Sequence, residues 1–429
     1  MNNYQLVKNT EWKEVEINGE DKEIPMDWEV KKFEDFSSIC RGGSPRPIQN
    51  FLTEKKDGTP WIKISDATKV TKYIDSTEQY IKKEGESRSR IVYPGDLIVS
   101  NSATPGIPRF LNITACIHDG WLLLRDFNGV DKEFLFQLVG LVREKLKSQG
   151  SGSIFTNLSI DILSNFECLI PPIKTQSSIA SILSAQESII SDIESLISKY
   201  ESRFQYLSEE LLSGKLRVKE VDGKTVLYKN PEDNWKDVEI NGEMKEIPKD
   251  WEVEKISNVT ECWDNKRKPL NQTERSNKKG SIPYWGANNI VDYINDYLID
   301  EEVVLLGEDA APFYDKSKKV AFISNEKIWP NNHIHVLKPL INSYFLMTIL
   351  NSVQYEKIIG TESRPKLTQG MMNAIEFSSP LEKEMSNISS ILLAQDFLIK
   401  KQKDFLIKEK QKFDWLLDNL LSGKYLIKE

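Results

Sequence analysis

The chain has few of the residues from which metal centres and disulfide frameworks are built. Its 429 residues include four cysteines and three histidines. The cysteines are scattered, at Cys40, Cys116, Cys168 and Cys262, so they predict reduced thiols rather than paired ligands or disulfides. His333 and His335 form an i, i+2 pair, but no third ligand is apparent near them. We therefore expect no metal site.

Long apolar runs are also lacking. No run approaches the roughly 18 residues that a membrane-spanning helix needs, and residues 1–5 lack the basic and apolar layout of a signal peptide. The composition, 39% hydrophobic and 28% charged, is that of an ordinary globular protein. The length allows two or three domains. These features predict a cytoplasmic protein without a membrane partner.

Signatures of common catalytic sites are missing as well. The sequence has no Walker A loop, no Gly-rich dinucleotide fingerprint and no His-Glu-x-x-His. It also lacks the Asn/Asp-Pro-Pro-aromatic motif of amino-methyltransferases. We therefore expect a chain that is not itself an enzyme and that binds no cofactor of its own.

What the sequence does contain is a repeat. Residues 12–30 recur almost unchanged at 235–253, and residues 211–215 recur at 420–424. The first block is displaced by 223 residues and the second by 209, so the segment enclosed in the first copy is the longer one. A duplicated frame around two different inserts predicts two different binding surfaces at a fixed separation.

Each closing block predicts one long helix. Apolar residues recur mostly every three, four or seven positions from Ile179 to Leu211, and again from Ile388 to Leu420. Gly214 and Gly423 are natural helix stops. Each helix would span about 40 residues, or about 60 Å. Such stripes need a partner, so we expect the two helices to pair antiparallel; the alternative is that each is a core helix of its own half.

The inserts have the pattern of mixed α/β domains. Four apolar runs predict strands: residues 61–64, 97–99, 303–306 and 320–323. Two longer stretches, 132–146 and 342–358, predict helices.

The charge distribution separates the inserts from the repeated frame. The net charge of −8 argues against a simple basic nucleic-acid binder. The acidic excess, however, lies in the frame: residues 1–30 carry 3 basic and 8 acidic side chains, and residues 221–251 carry 5 and 8. Residues 31–170 carry 19 and 17, and residues 252–380 carry 15 and 17. The inserts are therefore free to hold local basic clusters.

Loop-like stretches of both inserts offer groups suited to DNA. Arginine reads guanine edges, and Ser, Thr and Asn contact bases or phosphates. The candidates in the first insert are Arg41, Ser44, Arg46, Arg88, Arg90, Asn101, Ser102 and Thr104. Those in the second are Asn265, Lys266, Arg267, Lys268, Tyr284, Lys316, Lys318, Asn332 and His333. The alternatives are solvated loops, and for Tyr284 a place in the domain core.

Several further segments resemble one family. The first insert has residues 61–66 and 94–100 as landmarks, and the second has 283–288, 306–309 and 332–337. Residues 154–159 and 363–368 are similar to the segment near each domain's end, and 179–183 is typical of the start of the conserved helix. In this order, twice over, they resemble the specificity subunit of Type I restriction-modification systems across essentially the whole chain. The usual Glu-Gln at the helix start is replaced by Thr175-Gln176 and Lys383-Glu384.

The resemblance implies an α+β fold. Two α/β target recognition domains would be separated by two long antiparallel coiled-coil-like helices, with internal pseudo-twofold symmetry. The expected segments are a lead-in (1–30), the first recognition domain (31–170), a central helix (171–220), a repeated lead-in (221–252), the second recognition domain (253–380) and a C-terminal helix (381–429). By the same resemblance, Lys63, Asn288, Asn289, Arg364 and Lys366 join the candidates for DNA contact.

The resemblance also implies partners. Each recognition domain would read one half of a split, asymmetric double-stranded DNA target. The duplicated frame would hold two modification (methyltransferase) subunits, which bring S-adenosylmethionine and methylate adenine. Restriction subunits would bring ATP and Mg for translocation and cleavage. Two competing hypotheses are a single-chain restriction and methylation enzyme, and a helical adaptor with two protein-binding lobes.

Overall fold

The structure, a computed structural model, describes residues 5–102, 104–148, 157–309, 311–360 and 365–428. It divides into two compact units. Unit 1 comprises residues 1–194 and 405–429, and unit 2 comprises residues 195–404. Among the described residues, no helix has both the length and the apolar character needed to cross a bilayer.

The two long helices are confirmed. They span Ile173–Leu212 and Glu382–Leu421, 40 residues each. Both end at the predicted glycines, because Gly214 and Gly423 adopt φ values of +73° and +72°, the left-handed conformation that closes a helix.

Each unit contains one end of each long helix, and the two ends run antiparallel. In unit 2, Glu201 pairs with Lys403 at 2.6 Å, and beyond the first helix Arg217 reaches Glu384 near the start of the second. In unit 1, Glu194 pairs with Lys410 at 2.7 Å, and nearer the start of the first helix Leu183 shares a buried core with Leu416 and Leu420. The predicted antiparallel pairing is therefore present in both units.

The repeated lead-in segments fold as matching β-hairpins. Trp12–Ile17 pairs with Glu20–Pro25, and Trp235–Ile240 pairs with Glu243–Pro248. Their turns, Asn18-Gly19 and Asn241-Gly242, have φ values of 51° and 77°, and of 52° and 78°, which the Asn-Gly pair favours in tight hairpins.

Each hairpin turn is fastened to the last strand of its insert. The backbone N–H of Asn18 donates to Glu167 Oε2 at 2.6 Å, and its Nδ2 donates to the Glu167 carbonyl at 2.8 Å. Asn241 makes the same two bonds to Glu376, at 3.0 and 2.9 Å. The frame therefore holds both inserts in the same way.

The insert of unit 1 is built on two five-stranded sheets. In spatial order, one sheet contains Arg90–Val92, Ala115–Ile117, Thr59–Ile62, Gln79–Ile81 and Leu52–Thr53, and the other contains Ser38–Arg41, Trp121–Arg125, Leu97–Ser100, Pro108–Leu111 and Tyr73–Ile74. Glu29–Lys32 pairs with Glu167–Ile170, and Gln5–Lys8 with Tyr425–Lys428. The helices are Phe33–Phe36, Ile64–Thr68, Lys83–Glu86, Lys132–Ser148 and Ile160–Asn165, with 3₁₀ turns at Ile48–Asn50 and Lys55–Asp57.

The insert of unit 2 has a different sheet arrangement. A four-stranded sheet contains Thr260–Cys262, Ile334–Pro339, Val303–Gly307 and Ala321–Ser324, and a three-stranded sheet contains Ile290–Ile294, Lys279–Trp285 and Trp329–Pro330. Glu252–Lys255 pairs with Glu376–Ser379, and Leu216–Val221 with Lys224–Lys229. The helices are Ile256–Val259, Gln272–Ser276, Ser343–Ser352, Glu356–Ile359 and Gln369–Ala374, with a 3₁₀ turn at Asp264–Lys266.

Two predicted elements end earlier than expected. The strand predicted at 61–64 stops at Ile62, because Asp66 Oδ2 accepts the Lys63 N–H at 2.8 Å and starts a helical turn. The helix predicted at 342–358 ends at Ser352, and a short helix follows at Glu356–Ile359. The strands predicted at 97–99, 303–306 and 320–323 are present within one residue at each end.

Candidate nucleic-acid interface

Several candidate residues of unit 1 converge on Asp119. Ser44 Oγ donates to its Oδ1 at 2.5 Å, and Arg46 Nη2 lies 3.2 Å from its Oδ2. Its backbone carbonyl accepts from Arg41 Nε at 2.8 Å and from Asn101 Nδ2 at 2.9 Å. Asp119 therefore fixes the loop that carries Arg41, Ser44 and Arg46.

These contacts favour the ionised form of the Asp119 carboxyl group. The hydrogen bond from Ser44 lowers the pKa of Asp119 below its ordinary value, burial opposes that shift, and the Arg46 guanidinium adds to it. The Arg46 side chain remains 79% exposed. Its guanidinium is thus oriented by the protein while most of it faces solvent.

The remaining first-insert candidates differ in accessibility. Arg88 and Arg90 are exposed; Arg90 Nε donates to the Arg41 carbonyl at 3.4 Å, and Arg88 lies over the Phe51 ring. Thr104 is exposed and Ser102 is partly buried. Asn101 is only 3% exposed, so burial does not support the prediction that it contacts DNA; it supports the Asp119 loop instead.

A cleft of about 1050 Å³ lies beside this loop. Ser44, Arg46 and Lys63 line it together with Gln49, Gln79, Trp61 and His118. Sequence reasoning missed Gln49, Gln79, His118 and Asp119. Gln79 belongs to no recognisable sequence motif. Asp119 was overlooked because a search for phosphate contacts considers basic and neutral polar residues.

His118 presents a neutral ring to this cleft. Burial lowers the pKa of His118, and its Nδ1 accepts the Gly120 N–H at 2.8 Å. In a neutral imidazole the other nitrogen then carries the proton. His118 Nε2–H is therefore a hydrogen-bond donor.

In unit 2, Arg267 belongs to a buried ion-pair network rather than to the surface. Its Nη1 lies 2.5 Å from Glu308 Oε2, and its Nη2 lies 3.3 Å from Asp264 Oδ2. His335 completes the network, with Nδ1 2.6 Å from Asp264 Oδ2 and Nε2 2.8 Å from the Leu367 carbonyl. The Arg267 side chain is 16% exposed, so its donors hold loops together and the prediction that it contacts DNA is not supported.

The same carboxylates and His335 form a group of possible metal ligands. Asp264, Glu308 and His335 each place one ligand atom within 4.8 Å of the others. The Arg267 guanidinium already supplies positive charge to both carboxylates, and both nitrogens of His335 have protein partners. The geometry therefore describes an internal network. His333, the other half of the predicted pair, contacts Asp309 at 2.6 Å instead.

The other second-insert candidates fall into three groups. Exposed residues are Asn265, Lys266, Lys268, Asn289, Lys316, Lys318, Asn332, His333 and Lys366, and Asn288 is partly buried. Tyr284 is 2% exposed and bonds the Leu270 N–H through its hydroxyl, which fits the core alternative and leaves no face for base stacking. Arg364 lies outside the described residues.

Acid should destabilise this second-insert network. Burial is the largest single influence and raises the pKa of Asp264 and of Glu308. The opposing influences, led by His335 for Asp264 and by Arg267 for Glu308, together outweigh burial, and both pKa values end below normal. A depressed folded-state pKa gives stability that is present above the unfolded value of about 4 and is lost as pH falls through the folded value. The protection of residues 260–340 against hydrogen exchange, relative to the intrinsic rate at each pH, should therefore fall below about pH 4.

The Asp264→Asn variant tests the origin of that pH dependence. It should flatten the acid-induced loss of protection, because one of the two carboxylates that must be protonated is gone. Asp300→Asn is the matched control, since Asp300 is 55% exposed and 3.7 Å from Lys327. An unchanged pH profile in Asp264→Asn would contradict the assignment.

Comparison with known proteins accords with this architecture. The profile of the Type I restriction modification DNA specificity domain matches residues 25–199 and 248–408. A putative Type I restriction enzyme specificity subunit of Haemophilus influenzae is 31% identical over 142 residues, about a third of each chain (33% and 35%). The Type I restriction enzyme MjaIX specificity subunit of Methanocaldococcus jannaschii is 24% identical over 98% of both chains.

A solved structure shares the fold. The crystal structure of a Type I restriction-modification S subunit from M. genitalium superposes with a TM-score of 0.59 at 15% identity, covering 92% of this chain and 96% of that one. The specificity domain matches twice, once in each half of the repeat, and the two matches together cover more than half of the chain. The chain belongs to the Type I restriction-modification DNA specificity family.

Proposed function

We propose that this chain determines which DNA sequence a Type I restriction-modification complex recognises. Each recognition domain reads one half of a split, asymmetric target, while methylation and cleavage belong to partner subunits. The observation that carries the proposal is the contrast between frame and inserts. Matching hairpins and helices hold two inserts whose sheets differ. The first insert has two five-stranded sheets, and the second has one four-stranded and one three-stranded sheet.

The partners follow from the same family. Two modification subunits would occupy the duplicated frame and bind S-adenosylmethionine, and restriction subunits would bind ATP and Mg. The chain itself would contribute no catalytic group, only recognition and assembly. The frame is the acidic part of the chain, so we assign it to contacts with protein and the inserts to contacts with DNA.

One face of the second long helix is suited to such a partner. Leu393 and Phe397 are 51% and 54% exposed and lie one turn apart, so they form one stripe. Ile388 and Leu392, which face the core of unit 2, are 0% and 1% exposed. Exposed aromatic and aliphatic anchors of this kind are typical of interface hot spots.

Charging this stripe should weaken assembly. We expect the double variant Leu393→Asp, Phe397→Asp to lose one of two bound modification subunits, because each aspartate would have to be desolvated in the interface. Native mass spectrometry of the purified complex reads the stoichiometry. Val226→Asp, Leu227→Asp is the control, since these residues are similarly exposed, 38% and 42%, on the hairpin of unit 2. Full stoichiometry in the stripe variant would contradict the assignment.

Electrophoretic binding by the assembled complex tests the function itself. The chain with its methyltransferase partner should select one DNA target from random-sequence duplexes and resist non-specific competitor. Two alternatives predict different outcomes. A helical adaptor would show no sequence-selective binding in a correctly assembled complex, and a single-chain enzyme would methylate or cut DNA without any partner.

A further inference from the structure

The cleft of unit 1 is built on rigid elements. Gln79 lies on the strand Gln79–Ile81 and is paired in register with Trp61 of the antiparallel strand Thr59–Ile62. Residues directly opposite each other in such a pair project from the same face, with Cβ atoms about 5 Å apart. Lys63 follows Trp61 by two residues with extended φ and ψ of −105° and 164°, so it projects to that face too.

The lining of the cleft is cationic and rich in donors. Arg46 and Lys63 contribute positive charge, His118 contributes a donor, and none of the described residues that line it is acidic. Within the described part of the chain, the Lys63 ammonium has no ion-pair partner and the Gln79 amide no hydrogen-bond partner. Ile48, Leu52 and Ile64 supply an apolar floor. The Gln79 amide is partly buried but still reached by water, so a ligand in the cleft can replace that water with hydrogen bonds of its own.

We propose that this cleft seats the DNA of the first half-site, with Gln79 reading an adenine edge and Lys63 contacting a phosphate. The inference rests on the proposed function and names the residues that perform it in one domain. A glutamine amide matches adenine because it accepts from N6 and donates to N7 in the major groove. Lysine is a compact charge with donors only, which suits a phosphate oxygen and carries no sequence information.

The concave shape of the cleft is compatible with one residue contacting a base and another contacting a phosphate. A sugar–phosphate strand is the convex ridge of a duplex, so a cleft can hold it against Lys63 while Gln79, which projects from the same face, reaches a base edge in the adjoining groove. Arg46, held by Asp119 at the rim, then lies next to the strand that Lys63 contacts. Asp119 is in this account a positioning residue, acting through the loop that it fixes.

The two residues should fail in different ways. We expect Gln79→Ala to relax one adenine position by roughly 5- to 150-fold and to leave every other position unchanged. Lys63→Ala should keep the same target but lower affinity for all sequences, and the slope of log K against log salt should shrink by about 0.9. Lys83→Ala is the control for charge, because Lys83 is an exposed lysine of the same domain outside the cleft.

Methylome sequencing and salt-dependent binding, both with the chain in its complex with the methyltransferase partner, decide the matter. The half-site changed by Gln79→Ala must be the one that changes when residues 31–170 are exchanged for those of a relative. An unchanged motif in Gln79→Ala, or a change in the other half-site, would overturn the assignment of Gln79. A salt slope in Lys63→Ala equal to that of the wild type would overturn the assignment of Lys63. Absence of any split motif in the wild type would instead reject the proposed function.

Discussion

Replacing Glu384 with alanine is expected to destabilise unit 2 by about 3–5 kcal/mol, the usual cost of removing one partner of a buried ion pair. Glu384 and Arg217 are 8% and 4% exposed. Glu384 accepts from Arg217 Nε and Nη2, both at 2.7 Å. The alanine variant would leave the Arg217 guanidinium buried with only Asp250 to balance its charge.

Glu384 also connects three separate segments of unit 2. It accepts from the Val218 N–H at 3.1 Å and from Trp251 Nε1 at 3.2 Å. Val218 lies in the strand that follows the first long helix, and Trp251 follows the second lead-in hairpin. These contacts join the end of the first long helix, the lead-in hairpin and the start of the second long helix. Its loss should therefore loosen the frame rather than the recognition domain.

Hydrogen exchange with peptide resolution measures this effect, because local opening is read segment by segment. In Glu384→Ala, residues 213–255 and 376–395 should exchange faster than in the wild type. Lys383→Ala is the matched control: its side chain is 76% exposed and pairs with Glu220 at the surface, so it should cost less than about 1 kcal/mol. Equal exchange in both variants would show that the network contributes little.

Unit 1 lacks this network at the equivalent positions. At the offset of 209 residues, Arg217 corresponds to Leu426 and Glu384 to Thr175. The counterpart of Thr175-Gln176 is therefore Glu384-Met385, and the pairing with Lys383-Glu384 expected from the sequence was wrong by one residue. Trp28, the counterpart of Trp251, is 1% exposed, and its Nε1 has no hydrogen-bond partner among the described residues. Changes at Thr175 should therefore have small effects, and the two copies of the frame differ in what stabilises them.

Lengthening both long helices by one turn is expected to shift the DNA target itself. We propose that the paired helices set the spacer between the half-sites. One turn adds about 5.4 Å, and base pairs are about 3.4 Å apart, so the tolerated spacer should grow by one or two base pairs. The insertions belong after Ser191 and after Lys412, near the pair between Glu194 and Lys410, to keep the helices in register.

Methylome sequencing reads that outcome directly. The original target should lose methylation and a target with the same two half-sites and a longer spacer should gain it. The matched control replaces the same positions without changing helix length. An unchanged spacer in a folded, assembled insertion variant would refute the proposal that the paired helices set the spacer.

The frame was predictable because its signals are local. Apolar spacing and terminal glycines fix each long helix within the chain's own sequence, and Gly214 and Gly423 end the helices as expected. The hairpins had an equally local signal, since Asn-Gly sits at both turns. No strands were predicted for the lead-in segments, although duplication repeats the hairpin signal as it repeats that of the helices.

The recognition surfaces were less predictable because charge in a sequence does not reveal its partner. Arg267 was expected to contact DNA, yet its guanidinium forms ion pairs inside the domain. One partner, Asp264, is close to it in the sequence and the other, Glu308, is distant. Conversely, Asp119 orients the loop with Arg46 although an acidic residue is an unlikely choice beside DNA. Glu384 drew attention only as a departure from the family pattern, and its role depends on Arg217, 167 residues away.

Methylome sequencing of cells that express this chain with its methyltransferase partner tests the central claim most directly. The account predicts one motif with methylated adenine, made of two different half-sites separated by a spacer of fixed length. A continuous motif, two identical half-sites, or no sequence preference in an assembled and active complex would contradict it.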